Sequence, residues 1–357
     1  MCFLMRVWKN APLWGPILMV SLLAVNVHAE EVQITPWREH ASQLDWSAKL
    51  NRIAYAIKDK QGVYEVHTAD PDGKNDVCIS KKFAAFDHRY VGSPFWHPSG
   101  KFLVVVVEKK DHKGSQYEAT PGFGGWSDVW ALSADGSQAH QLTDLPNDAD
   151  HGVLIPRFSP DGSQLCWTQR VARPNFFDPK QTFAYWAIKI ADVVVSGENV
   201  KLENIRTYEP GGRAFYETYG FSRDGKRVIF CSSFNQPSVW TQQIFTLDAA
   251  TGNDIKQLTE KDYNEHAAYT PDGKSIVWMS HVDSVAGGTD WWMMDADGRN
   301  KRRLTYFNQP FHKQYAGHAV WAGLPSFAPD GKRFIGDIQQ NLITQDANTV
   351  MVEFIQK

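Results

Sequence analysis

Histidine, glutamate and aromatic side chains are the groups in this 357-residue sequence whose placement invites chemistry. His151, His266 and His318, joined by Glu217 and Glu265, stand at or just before alternating apolar stretches that read as strands. Neutral imidazoles and carboxylates converging from separate strands suit a divalent transition metal or calcium, or a proton-transfer site. The three histidines lie 11, 7 and 13 residues ahead of Gly162, Gly273 and Gly331, each of which ends a recurring turn. That uneven spacing, with no HxxxH or HExxH pair, leaves hydrogen bonding to loop backbone as the alternative. The second set is aromatic. Phe123, Trp126, Phe176, Phe177, Phe307 and Phe311 sit in long irregular segments beside glycine, asparagine or proline. There they would stack on a sugar, anchor a peptide, or form a small core for the loop itself. No GxSxG is present, and Cys78, Cys166 and Cys231 show no CxxC spacing. Each of these cysteines falls in an alternating apolar stretch and is expected as a buried strand thiol rather than a disulfide or metal ligand.

The elements that must position these groups are strands. A composition of 43% hydrophobic and 22% charged residues supports a sizeable core and excludes disorder. Net charge is −3, which gives no sequence-wide footprint for nucleic acid. Arg6 and Lys9 followed by an apolar run to Val27 and a small residue at Ala29 have the layout of a secretory signal over residues 1–29. An uncleaved anchor is the alternative. Cleavage would remove both basic residues and take the net charge to −5, with no membrane span left in the mature chain.

One turn recurs along the rest of the chain. Phe95-Trp96-His97-Pro98-Ser99-Gly100-Lys101 is followed by Phe158-Ser159-Pro160-Asp161-Gly162, Phe221-Ser222-Arg223-Asp224-Gly225-Lys226, Tyr269-Thr270-Pro271-Asp272-Gly273-Lys274 and Phe327-Ala328-Pro329-Asp330-Gly331-Lys332. A degenerate copy, Trp46-Ser47-Ala48-Lys49-Leu50, precedes them. Proline presets φ at the second position, aspartate suits the third, and glycine accepts positive φ at the fourth. A weaker phrase follows in most units: a strand, an Asp-Gly or similar turn, and a closing Leu-Thr, as in Leu142-Thr143, Leu258-Thr259 and Leu304-Thr305. Each unit therefore reads as a four-stranded meander, and the anchors are spaced 50, 62, 63, 48 and 58 residues apart from Leu50. Six such units, at about 40–85, 88–145, 151–207, 214–261, 263–306 and 318–357, bury every sheet face when arranged radially, so the sequence predicts an all-β, six-bladed β-propeller. The alternative all-β answer is a sandwich. The last strand, Val350 to Phe354, is expected to complete the final sheet alone or with Glu31-Val32-Gln33-Ile34.

The repeated aromatic-Ser-Pro-Asp-Gly-Lys corner with its Asp-Gly and Leu-Thr phrase resembles the TolB-type propeller repeat, over about residues 40 to 357. TolB itself is a periplasmic protein of an envelope system and carries an α/β domain ahead of its propeller. Only Glu30 to Glu39 separates the leader from the first repeat here, so the resemblance is to the repeat family and not to TolB. Similar repeats occur in oligogalacturonate lyases, whose propeller holds a metal mainly through histidines, and as accessory propellers of prolyl-oligopeptidase-like peptidases.

In such a meander the tight corners share one face, and the longer loops share the other. The loop face holds His40, His88, His112, His151, His266, His281, His312 and His318, while His67, His97 and His140 fall elsewhere. It is the expected place of recognition. The reading adopted is an exported, periplasmic or secreted propeller that binds a protein, peptide or glycan there, without catalysis and without a cofactor. The expected contacts are Trp126, Phe123, Phe176, Phe177, Phe311, Glu217 and Glu265. Two alternatives stand beside it: a metal-assisted lyase or hydrolase using His151, His266 and His318, and a structural subunit of an envelope assembly.

Overall fold

The computed structural model describes residues 31–341 and 345–355, and the predicted leader lies outside them. Six antiparallel sheets surround one axis, with the first strand of every sheet lining a common cavity: a six-bladed β-propeller. Blade 1 runs outward from the axis as Ala41–Ser47, Arg52–Lys58, Tyr64–Ala69 and Val77–Cys78. Blade 2 is Val91–Trp96, Phe102–Glu108, Ser127–Ser133 and Ala139–Gln141. Blade 3 is Val153–Phe158, Gln164–Ala172, Tyr185–Ser196 and Asn199–Tyr208. Blade 4 is Tyr216–Phe221, Arg227–Ser232, Gln243–Asp248 and Lys256–Gln257. Blade 5 is Asn264–Tyr269, Ser275–Ser280, Asp290–Asp295 and Arg302–Arg303. Blade 6 begins with a broken strand, Trp321–Ala322 and Ser326–Phe327, continues through Arg333–Asn341 and Asp346–Ile355, and ends with Glu31–Glu39.

Each recurring corner closes by the chemistry its residues dictate. The Asp161, Asp224 and Asp272 carboxylates accept from the hydroxyls of Ser159, Ser222 and Thr270 at 2.6–2.7 Å and from the amides of Ser163, Lys226 and Lys274 at 3.0–3.1 Å. The corner glycines Gly162, Gly225, Gly273 and Gly331 have φ of 65–77°, which a residue with a Cβ adopts only under strain. Each corner is then tied to the far part of the third strand or the turn after it: Ala134, Val193, Ala249, Ala296 and Phe354 donate to Lys101, Ser163, Lys226, Lys274 and Lys332 at 2.8–2.9 Å. All the tight turns therefore share one end of the molecule. The Leu-Thr phrase is a staple. The Thr143, Thr259 and Thr305 hydroxyls accept the amides of Val129, Ile244 and Trp291 at 2.8–2.9 Å, docking the end of each blade on its third strand.

The chain ends close the ring together. Glu31–Glu39 pairs antiparallel with Asp346–Ile355 from Glu31 opposite Ile355 to Glu39 opposite Asn348. Of the two closures expected for the last sheet, the one using both chain ends is formed. Val32 packs with Val277, Trp291, Phe334 and Val352 between blades 5 and 6, while Tyr55, Ile335 and Met351 join blades 1 and 6. Val32→Asp places an unpaired charge in that seam, and we expect it to cost about 2–4 kcal/mol, while Gln33→Asp on the exposed side stays within about 0.5 kcal/mol. Urea denaturation of the two variants measures the difference.

Candidate functional site

The axial strands share a distortion that turns their side chains. Each carries one more residue than the strand it pairs with. In blade 1, Ser42 opposes Ala56 and Asp45 opposes Ala54; the same step occurs between Gly92 and Phe95, Leu154 and Arg157, Thr218 and Gly220, and Glu265 and Ala268. Blade 6 breaks its strand at the equivalent place, Gly323 to Pro325. Such bulges sharpen twist and re-aim side chains. Gln43, Ser93, Ile155 and His266 sit at these points with φ of 43–52°, a conformation unfavourable for non-glycine residues and most of all for a β-branched one. The bulges also bind neighbouring blades: the Ser93 amide donates to Gln43 Oε1 at 2.8 Å, and the Thr218 amide donates to Thr168 Oγ1 at 2.9 Å.

Beside two bulges lies a pair of buried carboxylates. Glu217 and Glu265 are the second residues of the axial strands of blades 4 and 5, and they meet in the seam between those blades. Their oxygens and a ring nitrogen of His266 lie within 4.8 Å of one another, with His266 Nε2 3.9 Å from both carboxylates. Tyr219 donates to Glu217 Oε2 and Tyr263 to Glu265 Oε2, both at 2.7 Å; Gln242 Nε2 donates to Glu265 Oε1 at 2.8 Å. Cys231 closes the pocket beneath them, 2.9 Å from the Tyr219 hydroxyl. Burial, then repulsion by Glu265, pushes the Glu217 carboxyl well above the usual carboxylate range. Burial, then the same two carboxylates, raises the Cys231 thiol. Burial so close to a second carboxylate disfavours the charged form of Glu217, and a divalent cation held by Glu217, Glu265 and His266 would offset that cost.

The other expected metal ligands are elsewhere. His151 is bonded through Nδ1 to Asp148 Oδ1 at 2.6 Å, and His318 through Nε2 to Gln340 Oε1 at 3.0 Å on the surface. Neither joins the group around His266. Their unequal offsets are the reason: His266 is inside its strand at the bulge, whereas His151 and His318 remain in loops that precede theirs. The aromatic residues also divide. Trp126 is buried against His112, with ring centroids 5.6 Å apart, and Phe123 is half-buried against Tyr117 at 4.4 Å. Phe307 packs under Trp291. Phe176, Phe177 and Phe311 stand in solvent.

A concavity on the axis is lined by residues that the sequence offers only as strand ends. A cavity of about 350 Å³ opens along the axis at the end that carries the tight corners. The aromatic residue before each corner lines it: Trp46, Trp96, Phe158, Phe221, Tyr269 and Phe327. Asp45, Arg157 and Lys49 are the charged residues of its lining, the first two buried. Asp45 accepts from the Trp96 amide at 2.8 Å and the Ser326 hydroxyl at 3.1 Å, and burial pushes its carboxyl up to about 6 despite the attraction of Arg157. The Arg157 guanidinium lies 4.4 Å from the Phe95 ring centroid. The repeated aromatic was the available signal, but an aromatic at a strand end reads equally as core.

Both buried acids bind a proton more tightly in the folded state than in the unfolded one, so stability falls as pH rises through their folded values. For Asp45 the loss falls between about pH 4 and 6 and is on the order of 3 kcal/mol. Asp45→Asn should flatten that part of the stability profile, and Glu217→Gln should flatten the part above the usual glutamate range. Thermal melts across pH 4 to 9 separate the two.

No protein-family model and no curated protein matches the sequence. Solved structures do. TolB from Acinetobacter baumannii is 18% identical, with a TM-score of 0.54, over 87% of this chain and 65% of that one. A putative TolB from Agrobacterium tumefaciens is 14% identical, with a TM-score of 0.53, over 92% and 99%. An oligogalacturonate lyase from Vibrio parahaemolyticus is 9% identical, with a TM-score of 0.50, over 90% and 91%. The chain thus spans just under two thirds of the A. baumannii protein. At these identities the likeness is one of fold, that of TolB-like six-bladed propellers.

Proposed function

We propose that this TolB-like propeller is an exported, non-catalytic binding module that receives a protein or peptide segment in its axial cavity, with the aromatic loops of the opposite end as a second contact surface. The observation that carries the reading is the collar of six aromatic side chains around a cavity that also holds Asp45, Arg157 and Lys49. Concave apolar sites with a few fixed polar groups are where ligands and anchor side chains bind, and buried aromatics dominate the energetics of such contacts. Asp45 is held by the Trp96 amide and Ser326, so a charged or amide group on the ligand meets a preset partner. The leader over residues 1–29 supports a periplasmic or secreted location. Among the described residues no helix is long and apolar enough to cross a membrane.

A second reading, metal-assisted cleavage of an acidic saccharide, is favoured by one observation, the convergence of Glu217, Glu265 and His266.

Capture from an envelope extract distinguishes these readings. The wild-type chain should retain a specific protein, and Tyr269→Ala with Phe327→Ala, both half-buried in the collar, should weaken retention at least tenfold. Loss on Phe177→Asp with Phe311→Asp alone would move the site to the loop end. Retention of a glycan, with metal-dependent release of unsaturated sugar abolished by Glu217→Gln, would replace binding with catalysis.

A further inference from the structure

A different cluster, on the outer part of blade 1, has donors set for a metal. Tyr55, His67 and Cys78 are cross-strand neighbours on three adjacent strands, and Glu65 stands two residues before His67 on the same face. The Glu65 Oε2 atom is 3.5 Å from His67 Nε2 and 3.6 Å from Cys78 Sγ, and all three donors lie within 4.8 Å of one another. Zinc bonds of about 2.0–2.2 Å to nitrogen and oxygen and about 2.3 Å to sulfur, at the tetrahedral angle, put donor pairs roughly 3.4 Å (N and O) and 3.6 Å (S and O) apart. Both spacings from Glu65 match these values.

The surrounding contacts leave the facing atoms free. His67 uses Nδ1 to bind Asp76 Oδ1 at 2.9 Å, which turns Nε2 toward Glu65 and Cys78. That carboxylate on the far nitrogen is the usual way a ligating histidine is oriented. Glu65 gives its other oxygen, Oε1, to Lys81, so Oε2 remains as a single donor. Asp76 is also paired with Arg38 of the closing strand at 2.9 Å. Glu65 is buried, while His67 and Cys78 are partly exposed, so an ion can reach the site from solvent and a water can complete the coordination.

We propose that Glu65, His67 and Cys78 form a zinc-type divalent-cation site, oriented by Asp76 and linked through Arg38 to the strand that closes the ring. A thiolate, a neutral imidazole and a single carboxylate oxygen is a donor set that favours zinc over calcium or magnesium. The bland expectation for Cys78 as an inert strand thiol is therefore replaced, while Cys166 and Cys231 remain buried.

The test uses the full chain after chelation, titrated with Zn²⁺ alone against a chromophoric competitor. One equivalent should bind. Cys78→Ser and His67→Ala should weaken binding at least a hundredfold, and Asp76→Asn by about ten- to a hundredfold. Glu217→Gln should leave it unchanged, which keeps this site distinct from the blade 4 and 5 carboxylates. In the wild-type chain Zn²⁺ should also protect Cys78 from iodoacetamide, with Cys166 and Cys231 unreactive throughout, a readout that holds even if a variant folds poorly. Absence of zinc binding by the wild-type chain, or binding and alkylation unaffected by these changes, overturns the proposal.

Discussion

The ladder between Glu31–Glu39 and Asp346–Ile355 is the interaction on which the ring rests, because it is the continuous backbone pairing that joins the two ends of the chain, supported by single side-chain bonds such as that from the Trp46 amide to the Ser326 hydroxyl. Every other blade is built from one continuous stretch of chain, and blades 2, 4 and 5 are stapled by their own threonine. Blade 6 takes its outermost strand from the opposite end of the chain, and Val32 enters a core made of Val277, Trp291 and Phe334. Opening this ladder would expose two sheet edges and part of two apolar seams at once. The Arg38–Asp76 pair extends the same closure to blade 1.

Given a closed ring, the axial bulges decide what the axis can hold. The extra residue recurs in every blade, yet the residues beside it differ. Four residues before the corner aromatic stand Ser42, Gly92, Leu154, Glu217, Glu265 and Gly323, and only blades 4 and 5 place acids there. The positions before the aromatic are Asp45, Phe95, Arg157, Gly220, Ala268 and Ser326. One geometry repeated six times thus carries an aromatic wall with an acid and a base set in it at one end, and a buried pair of acids in a single seam nearer the other. Departures from the repeat are costly: each buried charge gives up hydration and must be answered by tyrosines, amides or an opposite charge. Those departures, more than the repeat itself, mark where chemistry is placed.

Legibility in the sequence followed locality. The corners were readable because proline, aspartate and glycine act within five residues, and the observed φ values and carboxylate bonds are those the residue types require. The blade number followed from counting them, and the bonding of Thr143, Thr259 and Thr305 explains why a Leu-Thr phrase recurs. The convergence of Glu217, Glu265 and His266 was partly legible, since all three begin axial strands. The separation of His151 and His318 from them was not, because a shift of a few residues between loop and strand changes a side chain's height on the axis. Trp126 could not be told from Phe177 by sequence: both lie beside polar or glycine neighbours, and only the packing of His112 and Gly114 buries the former. The Glu65, His67 and Cys78 group has no motif spacing, because its members meet across a sheet.

The two ends of the axis differ in what binding would cost. At the corner end the wall is made of strand residues and of turns fixed by several hydrogen bonds each, so the aromatic collar is ordered before any ligand arrives. At the loop end Phe176, Phe177 and Phe311 stand in solvent on connecting segments, and a partner would have to order them, at about 0.5–1.5 kcal/mol for each side chain fixed. Three exposed rings offer a large apolar gain in return, so that end favours a broad protein surface that covers all of them together. The cavity, at about 350 Å³, admits a few side chains or a short extended segment. A partner that inserts a short segment into the preset collar would make little use of the exposed rings, and its affinity would then depend on Asp45 and the aromatic wall more than on the long loops.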